Sequence, residues 1–420
     1  MNQSRILGAG QKAHDNLNKL GIGFFCLYVF MSYMAQDVIF PSSVGSFTLF
    51  LFLGYSALFV LANGKVSIEK ITIWQAVFIA ISLVSMLYST EKRIIGGFFY
   101  FLIINIVLVF LLCQYKFDLK SIKAVCWTYV LSSAIMVTVL IITGNMNDST
   151  GRLGNELVGN ANHFALMVMI ATIYALWLML YGKQGKIRNI ILALAVGLNY
   201  YAMFLSGGRK FVIIPVIFLY ILLLFRQDKK GRRHTVIYTV VILAIIGLLY
   251  YLIMKVPMFY EIIGVRMEGL FNLFSGDIEN AGGSAQLRDQ MRKMALSKWL
   301  QCPIWGYGHD SFKDYNVTVT GHRMYSHDNY AELLYNLGII GLIAYYWFYG
   351  KTLLTAFKGK NTIPLYARAF AVATIVSLVV YGYGAVNYAD TIGCILLFFT
   401  FKLLQVKCEG EKQNGGELNV

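Results

Sequence analysis

The residues that could do chemistry in this chain come from four separated stretches. The stretch "MYSHDNYAELLYNLGIIGL" (324–342) opens an apolar run with His327, Asp328 and Glu332 in its first turns. An imidazole of ordinary pKa, about 6.5, can accept a proton from a hydroxyl near neutral pH, so His327 is the natural general base. A lone histidine at a helix start is more often a surface residue, and Asp328 reads equally well as the helix N-cap. Arg209 sits in the tight turn "SGGRK" (206–210) between two apolar runs, which puts its side chain at the lipid boundary. A snorkelling arginine is the plain alternative there, but Gly207 and Gly208 would let a second backbone or a ligand approach closely. Arg288 and Arg292 lie in "SAQLRDQMRKMALSKWL" (284–300), and Arg152 lies in "GNMNDSTGRLGNELVGNANHFA" (144–165).

Clustered arginines suit a multidentate anion, phosphate above all. A helix N-terminus near Ser326 or Asp328 adds a dipole that favours the same anion. Asp277, Glu279 and Asp289 are scattered, and no DxD pair occurs. The arginines, rather than a magnesium ion, are therefore expected to neutralise a diphosphate. No metal site and no cofactor is expected.

These residues need elements to hold them. The chain has 420 residues, of which 58% are hydrophobic and 14% charged, with a mean hydropathy of +0.61. A soluble protein carries roughly a quarter charged residues. Apolar runs long enough to span a bilayer recur near 20–35, 43–62, 71–88, 94–113, 122–143, 162–181, 188–205, 210–225, 235–254, 328–349, 365–386 and 388–404. They do not alternate as barrel strands would. The fold class is all-α: a polytopic membrane protein of about twelve transmembrane helices.

Loop charge sets orientation. Lys65 and Lys70, then Lys116, Lys120 and Lys123, then Lys183, Lys186 and Arg188, then "RQDKKGRRH" (226–234), then Lys351, Lys358 and Lys360 fall in alternate loops. The opposite short loops hold only Lys92 and Arg93, Arg152, and Arg209 with Lys210. Both termini are thus expected in the cytoplasm, with residues 1–404 as one transmembrane domain and 405–420 as a disordered tail. Segment 255–327 is a long extracytoplasmic loop, and loops of that length are usually functional. Within it, Leu287, Met291, Met294 and Leu300 repeat at helical spacing and mark an amphipathic helix. "PIWGYGHDSF" (303–312) then breaks it. The net charge of +15 follows loop position, so no nucleic-acid partner is expected. No pair among the six cysteines is spaced for zinc.

With these residues in order, the chain resembles the bacterial O-antigen ligase and O-antigen polymerase superfamily. The likeness is carried by "RLGNELVGNANHFA" (152–165), "SGGRK", "SAQLRDQMRKMALSKWLQCPIWGYGHDSF" (284–312) and "SHDNYAELLYNLGIIGL" (326–342), over roughly 150–345. Asp328 stands where the family often has Asn, and Asn160-Ala161-Asn162 replaces its usual Asn-Pro. The resemblance implies a membrane glycosyltransferase-C-like fold in the bacterial plasma (inner) membrane, with an extracytoplasmic active site. It implies an undecaprenyl-diphosphate-linked oligosaccharide donor, a glycan acceptor, and transfer without metal and with inversion. A chain-length regulator and other polysaccharide assembly proteins are the partners it implies, besides the lipid bilayer. Carried onto this chain, His327 deprotonates the acceptor hydroxyl while Arg209 and Arg288 hold the leaving diphosphate. Arg152, Asn160, Asn162, Arg292, Asp328 and Tyr330 are candidates for positioning substrate, with ordinary packing the alternative for Tyr330.

Polymerisation of capsule, O-antigen or exopolysaccharide repeat units is favoured over ligation, because no signature of a dedicated second acceptor is visible. A lipid-linked oligosaccharide transporter predicts paired halves and polar breaks near the midplane, whereas here the polar candidates gather at one face. A non-catalytic scaffold would tolerate loss of His327.

Overall fold

The computed structural model describes residues 2–35, 39–90, 97–143, 152–154, 159–226, 232–275 and 283–406. Lys92, Arg93, Asp277, Glu279, Cys408, residues 227–231 and the tail from 407 onward lie outside them, as does much of 144–158. Among the described residues, nine helices precede the long loop: α1 (Asn2–Met34), α2 (Ser42–Asn63), α3 (Lys70–Ser85), α4 (Phe98–Cys113), α5 (Leu119–Ile142), α6 (Ala161–Tyr181), α7 (Lys186–Ser206), α8 (Arg209–Phe225) and α9 (Arg232–Lys255). The loop itself is largely helical. A short turn at Pro257–Phe259 and a π-turn at Tyr260–Gly264 lead into α10 (Val265–Ser275), α11 (Gly283–Trp299) and α12 (Phe312–Thr320). Then come α13 (Asn329–Lys358), α14 (Leu365–Gly382) and α15 (Thr391–Gln405). Each of the twelve apolar runs coincides with a helix. Eight helices are long and apolar enough to cross a membrane, and α3, α4 and α15 are shorter apolar helices. The protein is an all-α, polytopic membrane protein.

The pattern of burial follows composition. Helix α6 is apolar all round and buried along nearly its whole length, from Phe164 to Leu178, as expected for a central helix. It packs on α5, α7 and α8. By contrast α9 exposes Val240, Leu243 and Leu248, as a lipid-facing helix does.

Two sets of helix ends separate. At one end Asn18 bonds Lys116 in both directions, Gln114 pairs with Ser67, Lys123 Nζ reaches Gly182 O at 3.0 Å, and Lys402 pairs with Glu69. At the other end Arg152 meets Ser206, Ser89 Oγ donates to His309 O at 2.7 Å, and Lys210 meets Gly384. The candidate chemistry sits at this second end.

The glycines of "PIWGYG" and of α13 interlock. Gly338 has φ +62° and ψ −163°, which breaks α13 one third of the way along. The break frees backbone groups that cannot be left unpaired inside a membrane protein. The loop supplies their partners: Tyr307 N and Gly308 N donate to Tyr335 O and Asn336 O at 2.9 and 2.7 Å, and Ile339 N donates to Pro303 O at 2.9 Å. A Cβ on Gly338 would lie 2.2 Å from Ile304 O.

Helix α11 docks on α13 through Met291 and Ala295, which pack with Phe312, Ala331 and Tyr335. Here the apolar stripe expected from sequence is corrected. Met291 and Ala295 are buried and Leu287 is half-buried, at steps of four; Met294 is also half-buried and Leu300 lies exposed beyond the helix end. Alanine at 295 was overlooked because it is only weakly apolar.

Candidate active site

Helix α7 ends at Gly207, whose φ of +68° is the left-handed cap conformation suited to glycine. A Cβ there would lie 3.1 Å from Ile262 O and 3.3 Å from Arg152 Nε. Arg152 Nε donates to Ser206 O at 2.9 Å and its Nη2 reaches Asn162 Oδ1 at 3.3 Å. Arg152 thus satisfies a helix C-terminus and ties it to the start of α6. The turn releases Arg209 and Lys210 into the first turn of α8.

A cavity of about 420 Å³ opens beside this turn. It brings together Asn162, Arg209, Arg288, Arg292, His327 and Asp328 from the sequence-derived set. On α11, Ala285, Arg288, Asp289 and Arg292 reach it at helical spacing. Three candidates do not line it. Arg152 stands behind the turn as described. Asn160 is the N-cap of α6, accepting from Asn162 N at 2.8 Å. Tyr330 points away, donating to Val379 O at 2.7 Å and stacking on Tyr346; packing, the alternative reading for this residue, is its observed role.

Sequence reasoning missed Lys210, Arg266, Tyr383 and Gly384, which also line the cavity. Lys210 Nζ donates to Gly384 O at 2.9 Å and sits 4.3 Å from the Tyr381 ring centre. Arg209 donates to Arg266 O. The signal for both missed cations was the one used for Arg209: a basic residue on the face where loop charge disfavours it.

The site is electropositive. Arg209, Lys210, Arg266, Arg288 and Arg292 face two carboxylates, Asp289 and Asp328. Both carboxylates are engaged. Asp289 pairs with Arg292 at 2.5 Å and Lys293 at 2.6 Å. Asp328 caps α13 by accepting from Tyr330 N and Ala331 N at 3.0 and 2.9 Å. Arg288 has no hydrogen-bond or ion-pair partner among the described residues, and burial lowers its pKa.

His327 has φ +57° and lies against Tyr325, ring centres 4.3 Å apart. Its ring nitrogens have no hydrogen-bond partner among the described residues. Burial, then Arg288 and Lys210, push its pKa down to about 3. The imidazole is therefore neutral, and it lies beside the cations of Arg288 and Lys210.

Residues 192–346 match the family model described as O-antigen ligase. No curated protein matches the chain at a significant level. The matched region runs from within α7 to Tyr346 in α13, past the break at Gly338. It contains the 206–210 turn, Arg266, Arg288, Arg292 and His327, so the family signal and the cavity coincide. On this ground the stretch 192–346 of this multi-pass membrane protein is similar to the O-antigen ligase family of glycan assembly.

Proposed function

We propose that this protein is a membrane glycosyltransferase that moves a glycan from a polyprenyl diphosphate to an acceptor sugar hydroxyl at the extracytoplasmic face of the bacterial plasma membrane. One observation carries the reading: His327, with free ring nitrogens, and Arg288, with no partner among the described residues, share one electropositive cavity. The donor already has a good leaving group. The protein must orient two substrates, remove one proton and stabilise charge on the departing diphosphate. His327 takes the acceptor proton as the hydroxyl oxygen bonds to the anomeric carbon. The bond from that carbon to the diphosphate oxygen breaks with its electron pair, and Arg209, Arg288 and Lys210 stabilise the anion released. Displacement from the opposite face inverts the anomeric centre. Phe211, Ile213 and Val265, at the cavity wall, suit the first isoprene units. Arriving diphosphate offsets Arg288 and Lys210, which removes their share of the lowering of the His327 pKa, though not the larger share due to burial.

Polymerisation of repeat units is the favoured form of the reaction, and ligation to a different acceptor is the second. Purified protein given a lipid-linked repeat unit in EDTA decides between them. Product ladders from wild type, reduced at least about 100-fold in His327→Ala, are the expected result. Transfer only after a second acceptor is added would make it a ligase. Lipid-linked sugar crossing vesicles without transfer would make it a transporter.

A further inference from the structure

A second, smaller cavity of about 20 Å³ lies inside the bundle, between α3, α4, α13 and α15. That is room for one water-sized particle. Among the described residues, four oxygens of its lining side chains have no hydrogen-bond partner: Gln75 Oε1, Asn105 Oδ1, Asn387 Oδ1 and Asp390 Oδ2; the Tyr388 hydroxyl, which can donate, has none either. Gln75, Asn105 and Asn387 are 7%, 3% and 4% exposed, so solvent does not serve them. The amide nitrogens are committed elsewhere. Asn105 Nδ2 donates to Ala389 O at 3.3 Å, Asn387 Nδ2 to Leu378 O at 3.2 Å, and Gln75 Nε2 to Cys394 Sγ at 2.9 Å. Backbone acceptors thus fix which end of each asparagine amide is the nitrogen and leave the oxygen without a partner. Asp390 caps α15 with its other oxygen, accepting from Ile392 N at 3.1 Å.

Unpaired buried acceptors are costly. A single water donates two hydrogen bonds and the Tyr388 hydroxyl one, still short of four acceptors. A cation satisfies all of them at once. One carboxylate balances one positive charge, and amide and carboxylate oxygens suit a hard ion. Trp74, Phe78 and Tyr345 also line the cavity and present aromatic faces compatible with a cation. Among the described residues no group of three His, Cys, Asp or Glu converges anywhere, which leaves this oxygen set unlike a transition-metal site.

We propose that this chamber binds one dehydrated, sodium-sized monovalent cation through Gln75, Asn105, Asn387 and Asp390. The ion would brace the segment 383–390 against the bundle. That segment serves both cavities: Tyr383 and Gly384 line the larger one, Asn387 and Asp390 the smaller.

The test needs no glycan. Radiolabelled sodium binding is measured on purified full-length protein, alongside its unfolding temperature in sodium chloride and in choline chloride at equal ionic strength. Saturable binding of one sodium per chain, with an unfolding temperature that rises with sodium but not choline, is expected. Asp390→Asn and Gln75→Leu, on different helices, should each weaken binding at least tenfold and remove the sodium-dependent rise. Absence of saturable binding to wild type, or variants that bind as wild type does, would overturn the proposal.

Discussion

His327 is placed by its backbone as much as by its neighbours. A φ of +57° is uncommon for a residue with a side chain and is retained mainly where surrounding structure enforces it. Here Ser326 N donates to Glu332 Oε2 at 2.7 Å and Asp328 caps the helix, so the residues on either side are pinned. The depressed pKa, about 3, sets the expected pH behaviour. In the free enzyme the imidazole stays neutral down to that value, so kcat/KM, which reports free-enzyme ionisations, should stay flat between about pH 5 and about pH 7. If a diphosphate occupies the cavity as proposed, it offsets Arg288 and Lys210, so kcat should fall on acidification at a higher pH than kcat/KM does. Coincident acid limbs near about pH 6.5 would show that these cations do not govern the base. Stability carries the same sign: below about pH 6.5 the unfolded chain takes up a proton that folded His327 refuses until about pH 3, so His327 disfavours folding through that window.

The break in α13 carries the element-scale prediction. Gly338 occupies a region of φ and ψ open essentially to glycine alone, and its would-be Cβ meets backbone, Ile304 O and C at 2.2 and 2.4 Å. Backbone cannot swing aside as a side chain can. Gly338→Ala should therefore lower stability by at least about 1–3 kcal/mol and displace the half-helix that begins at Asp328. Gly350→Ala, in the same helix with nothing within 4 Å, should leave the unfolding temperature unchanged. Equal effects from the two would mean that the loop does not depend on the break. This element also marks where sequence stopped being informative. Apolar length found all twelve helices, because a bilayer span needs little more than that. It could not show that Gly306 seats against Gly338 and Gly308 against Ser85 and Ser89, since such contacts leave no periodic trace. Arg209, Arg288 and His327 were legible as charge out of place, whereas Arg152 and Asn160 were not separable from binding residues, because capping uses the same residue types.

Across the whole molecule, the helix ends at Lys116, Gly182, Glu69 and Lys402 form one set, and those at Ser206, His309 and Gly384 form the other. Lysines and arginines in short loops crowd the first set, and membranes place such loops in the cytoplasm. By that rule the cavity lined by Arg209, Arg266 and Arg288 is expected on the opposite side, where basic residues are disfavoured, which fits the proposal that those arginines serve an anionic ligand. Cysteines introduced at Thr318 and Lys360 test this. Both positions are exposed and belong to opposite ends of the bundle. A membrane-impermeant maleimide applied to intact cells should label Thr318→Cys strongly, and label Lys360→Cys only after permeabilisation. The native Cys302, half-buried on the first of these faces, is replaced by serine beforehand to keep the background low. Reversed labelling would put the cavity in the cytoplasm, where the donor would have to be used before it crosses the membrane, and the extracytoplasmic transfer proposed above would fail with it.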